Sequence, residues 1–416
     1  MRILHLSLTN FRNYSRLELD LPPGVALLEG DNAQGKTNLL EAVYYLSRTR
    51  SPRTSVDREL VNWLALEEEL PFARLVAQIE KRDEASQIEL SLVQSGTQGW
   101  NADAQAWRKQ VRVNGVAKRA LDAVGVLSVV LFLPQDIELV AGSPHLRRRY
   151  LDDTIGQIDP KYRHELGRYE QVVTQRNCLL KSLRGRGNDS EQLAFWDQRL
   201  SEHGAHITIR RQQALAQLSQ IIQRIHPRLT GETEHLRLQY CASVRCQQSP
   251  GDAFQTPLPL ERSALGDTEA AALVQNVTAA FAEQLREVRS RDLEQGVSSV
   301  GPHRDDVRFL VDGVDMNAFG SRGQQRTIAL SIKLAEVEWV TQEKDDPPVL
   351  LLDDAFSELD ASRRSLVMQA LAPVQQVLVT TTDVLRYDPL FVARTSLWRV
   401  CAGRLERITP SEEGVS

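Results

Sequence analysis

Apolar and polar residues alternate at Leu4, Leu6 and Leu8, and again at Leu17, Leu19 and Leu21 after a polar turn at 9–14. A period of two marks strands buried on one face. A short apolar run from Val25 to Leu28 ends at Glu29-Gly30 and predicts a third strand. From Lys36 the period lengthens, because Leu39, Val43 and Leu46 fall on one face of a helix. The chain around residue 30 therefore runs strand, glycine-bearing loop, helix. Residues 51–133 predict more sheet, with alternation at Ile88, Leu90 and Leu92, a turn-prone stretch at 95–103 and an apolar run at 126–133.

A different pattern begins at Tyr162. Tyr162, Leu166, Tyr169, Val173, Leu180 and Leu183 step by three and four, with Arg176 filling the missing place, and Leu193, Trp196, Leu200, Ile207, Ala214, Leu218, Ile221 and Ile225 continue after a breaker at 185–190. Two long helices folded back as a hairpin are predicted, the second roughly 50 Å long at 1.5 Å per residue. Residues 249–266 read as a linker, and Leu273, Val277, Phe281, Leu285 and Val288 as a third helix. Sheet returns at 307–311, a helix at 324–340, and unbroken apolar strands at 349–352 and 374–379. Such strands, alternating with helices, indicate a parallel or mixed sheet covered on both faces. The expected fold class is α/β: a head built from 1–155 and 297–416, with a helical arm, 156–296, inserted between its halves.

Composition narrows the function classes. The chain has 416 residues, is 42% hydrophobic and 25% charged, and carries a net charge of −5 with four cysteines, which excludes collagen, disulfide scaffolds and wholesale disorder. Cys241 and Cys246 form one Cys-x4-Cys pair with nothing nearby to complete a zinc site, so reduced thiols are expected. No apolar stretch approaches the roughly 18 residues of a membrane span, and the start shows neither basic leader nor apolar core. A cytoplasmic protein is expected.

Gly30-Asp31-Asn32-Ala33-Gln34-Gly35-Lys36-Thr37 matches Gly-x4-Gly-Lys-Ser/Thr at the required junction of strand and helix. That spacing turns backbone N–H groups around a β-phosphate, lets Lys36 reach the β- and γ-phosphates, and offers the Thr37 hydroxyl to Mg²⁺. The alternative is a glycine-rich structural turn. Val349 to Leu352 then lead into Asp353-Asp354. Beside a phosphate loop, Asp353 suits the metal and Asp354 the attacking water as general base; without such a loop, two solvated acids at a strand end would be the simpler reading. Phe319-Gly320-Ser321-Arg322-Gly323-Gln324 opens a helix. It is either a loop for a γ-phosphate or a plain helix cap. Its position before Asp353, and Ser357-Glu358-Leu359-Asp360 after it, resemble the order in ABC-type ATPases, whose sites are completed across a dimer.

Further segments extend the resemblance over nearly the whole chain. They include Asn10-Phe11-Arg12-Asn13-Tyr14, Phe132-Leu133-Pro134-Gln135-Asp136, Gly142-Ser143-Pro144 with Arg147 to Asp152, Gly301-Pro302-His303-Arg304-Asp305-Asp306 and Thr380-Thr381-Thr382-Asp383. Jointly the chain resembles the RecF family of bacterial recombinational repair, whose heads are similar to those of the structural-maintenance-of-chromosomes ATPases. The resemblance implies ATP and Mg²⁺ as cofactors, an ATP-dependent homodimer, and slow, DNA-stimulated hydrolysis. It also implies DNA partners (single strands, gaps and double-strand/single-strand junctions) and work with RecR, RecO and RecA. By the same resemblance Arg12 and Asn13 lie near the nucleotide, Gln135 senses Mg²⁺ and the γ-phosphate, and Ser321, Arg322, Gly323 and Gln324 form the loop that approaches ATP on the opposite subunit. Asp360 contacts the partner, and Thr382 and Asp383 form the switch where transporters usually carry His.

An acidic chain attracts DNA only where positive charge is gathered. Residues 143–186 hold ten basic side chains against five acids, with Arg147, Arg148, Arg184 and Arg186 as DNA-binding candidates; Arg48, Arg50 and Arg53 form a smaller group. Little aromatic residue is interleaved, so backbone contact is expected rather than base reading. The opposing reading is a solvated helix face whose basic residues pair with neighbouring acids. His303 reads as a packed turn residue. A nucleotide-gated DNA scaffold without significant turnover is the alternative function. A transporter motor is disfavoured by the more than 300 residues between Lys36 and Asp353 and by the absent switch His, and a GTPase by the lack of a guanine-reading Asn/Thr-Lys-x-Asp.

Overall fold

The amino-terminal strands are β1 (Arg2–Phe11), β2 (Tyr14–Asp20) and β3 (Gly24–Glu29), followed by helix α1 (Lys36–Arg48). Next come β4 (Phe72–Lys81), β5 (Glu84–Gln94), β6 (Trp107–Val113), β7 (Val116–Lys118) and β8 (Val129–Phe132). These coordinates are a computed structural model describing residues 1–82, 84–94, 107–184, 190–245, 267–354, 367 and 374–408. The middle contains α2 (Pro144–Ile158), α3 (Pro160–Leu183), α4 (Ser190–Thr230), β9 (Leu236–Cys241), α5 (Asp267–Glu287), β10 (Asp306–Val311), β11 (Val314–Asp315) and α6 (Arg322–Lys344). The last strands are β12 (Val349–Asp353), β13 (Gln376–Thr381), β14 (Ser396–Cys401) and β15 (Arg404–Ile408).

Two compact units result: Met1–Asp136 with Glu336–Ser416, and Ile137–Ala335. In the first, an antiparallel sheet of order β2-β1-β4-β5-β6-β7 accompanies a mixed sheet of order β15-β14-β3-β13-β12-β8. In the mixed sheet β14, β3, β13, β12 and β8 run parallel and only β15 is antiparallel. Strand β3, from one end of the chain, is thus hydrogen-bonded between β13 and β14, from the other. The helix expected to be apolar on one face is buried from Leu39 through Arg48 without a break, because its neighbours include strands of both sheets. The expected Leu4-Leu6-Leu8 stripe is also altered. A β-bulge between Ile3 and His5 shifts the pleat, so Ile3, Leu6 and Leu8 are buried and Leu4 is not.

The second unit pairs α3 with α4 and α4 with α5. Tyr162, Tyr169, Leu180, Leu193, Leu200, Leu218 and Phe281 are buried, as their spacing requires. β9, β10 and β11 form a small antiparallel sheet. Residues 137–155 and 297–335 belong to this unit, held there by Arg211 on Asp152 at 2.8 Å and Arg147 on Asp306 at 2.6 Å. The proposed turn at 95–103 and linker at 249–266 lie outside the described residues. No described helix is long and apolar enough to cross a membrane.

Candidate nucleotide site

Residues 30–37 join β3 to α1 in a loop that requires its small residues. Gly35 has φ +115°, and a Cβ there would lie 2.5 Å from Asn13 Nδ2; one on Gly30 would lie 2.4 Å from the Val400 carbonyl oxygen. Asn13 Nδ2 donates to the Gln34 carbonyl at 2.9 Å, and the Tyr14 hydroxyl donates to the Gly35 carbonyl at 2.9 Å. From the β14–β15 turn, the Gly403 N–H donates to the same Gln34 carbonyl at 3.0 Å and the Ala402 N–H to Gln34 Oε1 at 2.7 Å. Two hairpin turns therefore hold the loop's backbone. Lys36 Nζ donates to the Gly30 and Asp31 carbonyls at 2.6 and 2.8 Å. Burial lowers its pKa, opposed by the charges of Asp353, Asp354 and Asp31. Arg12 makes a two-pronged pair with the buried Glu41 of α1, at 3.0 and 2.8 Å, and donates to the Glu59 carbonyl. Asn13 touches the loop directly, whereas the Arg12 guanidinium is engaged behind it.

The acid pair stands at the carboxyl end of β12. Thr37 Oγ1 lies 2.9 Å from both Asp353 oxygens. Thr380 of β13 donates to Asp353 Oδ1 at 2.8 Å and accepts the Asp354 N–H at 2.9 Å. The pair is thereby oriented, with Asp354 at φ +49° ending the strand. Gln135 is exposed three residues beyond Phe132, the register partner of Leu352. Thr381 pairs with Glu29, so Thr382 and Asp383 leave the sheet beside Gly30. Asp383 Oδ1 accepts the Leu385 N–H at 2.9 Å and caps the next turn. The parallel sheet thus gathers at one edge residues that lie more than 300 positions apart, in the crevice beyond the strand ends where α/β sheets bind ligands. Hydroxyl and carboxylate oxygens at Thr37 and Asp353 are the hard donors Mg²⁺ prefers. Among the described residues no group of three or more His, Cys, Asp or Glu side chains could hold a metal ion, so such an ion would lean on phosphate and water.

In the second unit, Ser321 and Gln324 cap α6 reciprocally. The Gln324 N–H donates to Ser321 Oγ at 3.3 Å, and the Ser321 N–H to Gln324 Oε1 at 3.1 Å. Ser321, Arg322 and Gly323 are exposed. Gln324 Nε2 donates to Glu234 Oε1 at 3.0 Å, and Glu234 Oε2 lies 3.3 Å from Nε2 of His226, whose pKa burial lowers. Glu234 and His226 escape sequence reading because they stand at the end of a long helix and just past it, where periodicity carries no information about polar partners.

The basic candidates separate. Arg147 is buried, with Nε and Nη2 on Asp306 and Nη1 on the Gly142 carbonyl at 2.7 Å. Arg148 donates to the Asp305 carbonyl at 2.7 Å and is partly desolvated. Arg163 and Arg176 are buried as well. Lys161, Arg168, Lys181 and Arg184 are exposed along α3 and at its end. Arg186 and Asp360 lie outside the described residues. His303 sits 2.6 Å from the Tyr169 hydroxyl and 3.0 Å from the Ser298 carbonyl, and burial lowers its pKa to about 4.

A family model described as the RecF/RecN/SMC N terminal domain matches residues 2–388. A DNA replication and repair protein RecF from Roseiflexus castenholzii is 43% identical over 97% of this chain and 99% of its own length. Its counterpart from Bacillus subtilis is 37% identical over 97% of this chain and 100% of its own. A solved structure of the recombination mediator protein RecF-ATP is 29% identical with a TM-score of 0.81, covering 98% of this chain and 97% of that one. The Smc head domain of Pyrococcus furiosus, bound to the C-terminal domain of ScpA, shares the fold at 14% identity, with a TM-score of 0.51 over 99% of this chain and 96% of its own.

Proposed function

The chain belongs to the RecF family of DNA replication and repair proteins, with an ABC-type ATPase head and an inserted helical unit; on that premise we propose that it is an ATP-gated DNA-binding protein of recombinational repair. The observation that carries this reading is the hydrogen bond from Thr37 to Asp353, which joins the phosphate loop to the acid strand. ATP would lie along residues 30–37 with its β-phosphate against the loop N–H groups, and Lys36 would exchange two carbonyl acceptors for phosphate oxygens. Thr37 and Asp353 would hold Mg²⁺, which neutralises phosphate charge when bound, with Gln135 completing the set from β8's end. Asp354 is assigned to orient and deprotonate the attacking water.

Ser321, Arg322 and Gly323 of a second copy would close on the triphosphate, giving an ATP-dependent homodimer with Asp360 at its contact. Gln324, tied to Glu234, would position that turn. Thr382 and Asp383 supply no imidazole for the γ-phosphate, which favours slow turnover. DNA would meet the exposed Lys161, Arg168, Lys181 and Arg184, joined by Arg186 two positions on in the sequence, through its backbone, at single strands, gaps and junctions. RecR, RecO and RecA are the expected protein partners, in the cytoplasm.

Sedimentation with ATP, ADP or no nucleotide, with and without gapped DNA, tests this. Lys36→Met is expected to abolish ATP-dependent dimerisation, and Asp354→Asn to retain an ATP dimer on DNA without phosphate release. An unmutated chain that neither binds ATP nor changes mass with it rejects the proposal. Dimerisation without detectable hydrolysis selects the scaffold reading.

A further inference from the structure

Between α1 and β4 the chain makes two tight helical turns, Asp57–Leu60 and Ala65–Glu67. Leu60, Val61, Asn62 and Ala65 face inward and are buried. The outward side is unlike an ordinary polar loop: Trp63 is 67%, Leu64 54% and Leu70 71% exposed, and Glu67, Glu68 and Glu69 are exposed beside them. The N–H groups of Leu66, Glu67 and Glu68 donate to the carbonyls of Asn62, Leu64 and Ala65 at 3.2 to 3.3 Å. The second turn is therefore closed, with Ala65 inward and the Trp-Leu pair and the carboxylates outward.

This exposure belongs to an anchored element. The Asn62 N–H donates to the Asn10 carbonyl and the Arg12 N–H to the Leu60 carbonyl, both at 2.8 Å, and Phe11 bridges Val61. The Tyr45 hydroxyl holds Asp57 at 2.9 Å, and Lys109 approaches it at 3.2 Å. A fixed tryptophan and leucine held in water form the kind of apolar feature that marks an interaction surface, and Trp is a preferred anchor at such surfaces. Charge selects the occupant. Three consecutive carboxylates repel a phosphate backbone, which disfavours DNA, and a twofold contact between copies centred on this segment would set carboxylates against carboxylates.

We propose that residues 62–70 are a docking surface for a different protein, one offering an apolar pocket to Trp63 and Leu64 inside a rim of Lys and Arg facing Glu67–Glu69. This inference is independent of the nucleotide reading. The test places photoreactive benzoylphenylalanine at position 64 of the full chain in living cells, with position 116 on a separate exposed strand as control, and identifies the crosslinked peptide by mass spectrometry. The expected product is a second protein joined at an apolar residue flanked by basic ones. With that protein purified, Trp63→Ala with Leu64→Ala should weaken binding at least about tenfold. Glu67→Lys, Glu68→Lys and Glu69→Lys together should slow association and remove its salt dependence. The proposal fails if position 64 crosslinks to another copy of this chain or to DNA, or to nothing above the control. It also fails if the Trp63/Leu64 variant, folded by its melting curve, loses self-association instead.

Discussion

In the unit formed by the chain's two ends, the interior is dominated by one apolar cluster, in which Leu6, Leu8, Val43, Leu90, Leu351 and Leu378 are all fully buried, and its buried charges stand around α1, with Arg12 on Glu41 at 2.8 Å and Arg48 3.8 Å from Glu336. In residues 137–335 the interior is crossed by cations. Arg176, fully buried, donates to Asp197 and Asp292 at 2.7 Å each and to Ser298 at 2.9 Å. Arg211 donates to Asp152 and to the Pro302 carbonyl. The first interior depends mainly on area and shape, and the polar residues of the candidate site stand at the carboxyl ends of its parallel strands. The second depends on pairing, because each charge withdrawn from water is stable only while its partners remain. Segments scattered over 150 residues are thereby tied at fixed points, an arrangement that would keep the cap at Ser321 and Gln324 in a defined place.

The contrast can be broken most severely at Arg176. Replacement by Leu leaves Asp197 to Arg289 and Asp292 to the Ser299 donors, without the buried guanidinium that joins the two, and should cost about 3–5 kcal/mol, read as a lowered urea midpoint. In the aliphatic interior, Leu351→Ala removes methyl groups and leaves a cavity, at about 3 kcal/mol, but a volume-conserving Leu351→Met should cost less than about 1.5 kcal/mol. If the conservative Arg176→Lys is tolerated as well as Leu351→Met, the distinction between the two interiors collapses. Acid should act on the second unit through His303. Its folded pKa of about 4 lies below the ordinary 6.5, so between those values the unfolded chain takes up a proton that the folded one refuses. Stability therefore falls as pH drops from 6.5 to 4, by at most about 3 kcal/mol, and His303→Asn should flatten that part of the curve. The smallest effect on stability is expected at Arg184. Arg184→Glu should change it by less than about 0.5 kcal/mol while weakening DNA binding uniformly across sequences and reducing its salt slope; unchanged binding would remove this helix end from the DNA surface.

Legibility followed the range of the interactions. The phosphate loop, the acid strand and the helical hairpin were readable because each is a local pattern: glycine where the backbone must crowd, aliphatic runs where a strand is covered on both sides, apolar steps of three and four along helices. Arg147 was misleading for the opposite reason. A run of arginines looks the same whether it faces solvent or, as here, reaches Asp306 across 159 positions. The bulge at Ile3, the burial of α1 on every side and the Glu234 tie to Gln324 were equally invisible, since each depends on what another segment brings alongside.

By itself, then, the order of residues determined the strand–loop–helix cradle, the acid pair, the α/β class and the presence of long paired helices, because propensity and periodicity act over a few residues. Only the tertiary structure decided that β3 would lie between β13 and β14, that Thr37 would meet Asp353, and which arginines would be sealed inside. Those outcomes depend on register and burial between distant segments, and water is excluded from a side chain by its neighbours in space.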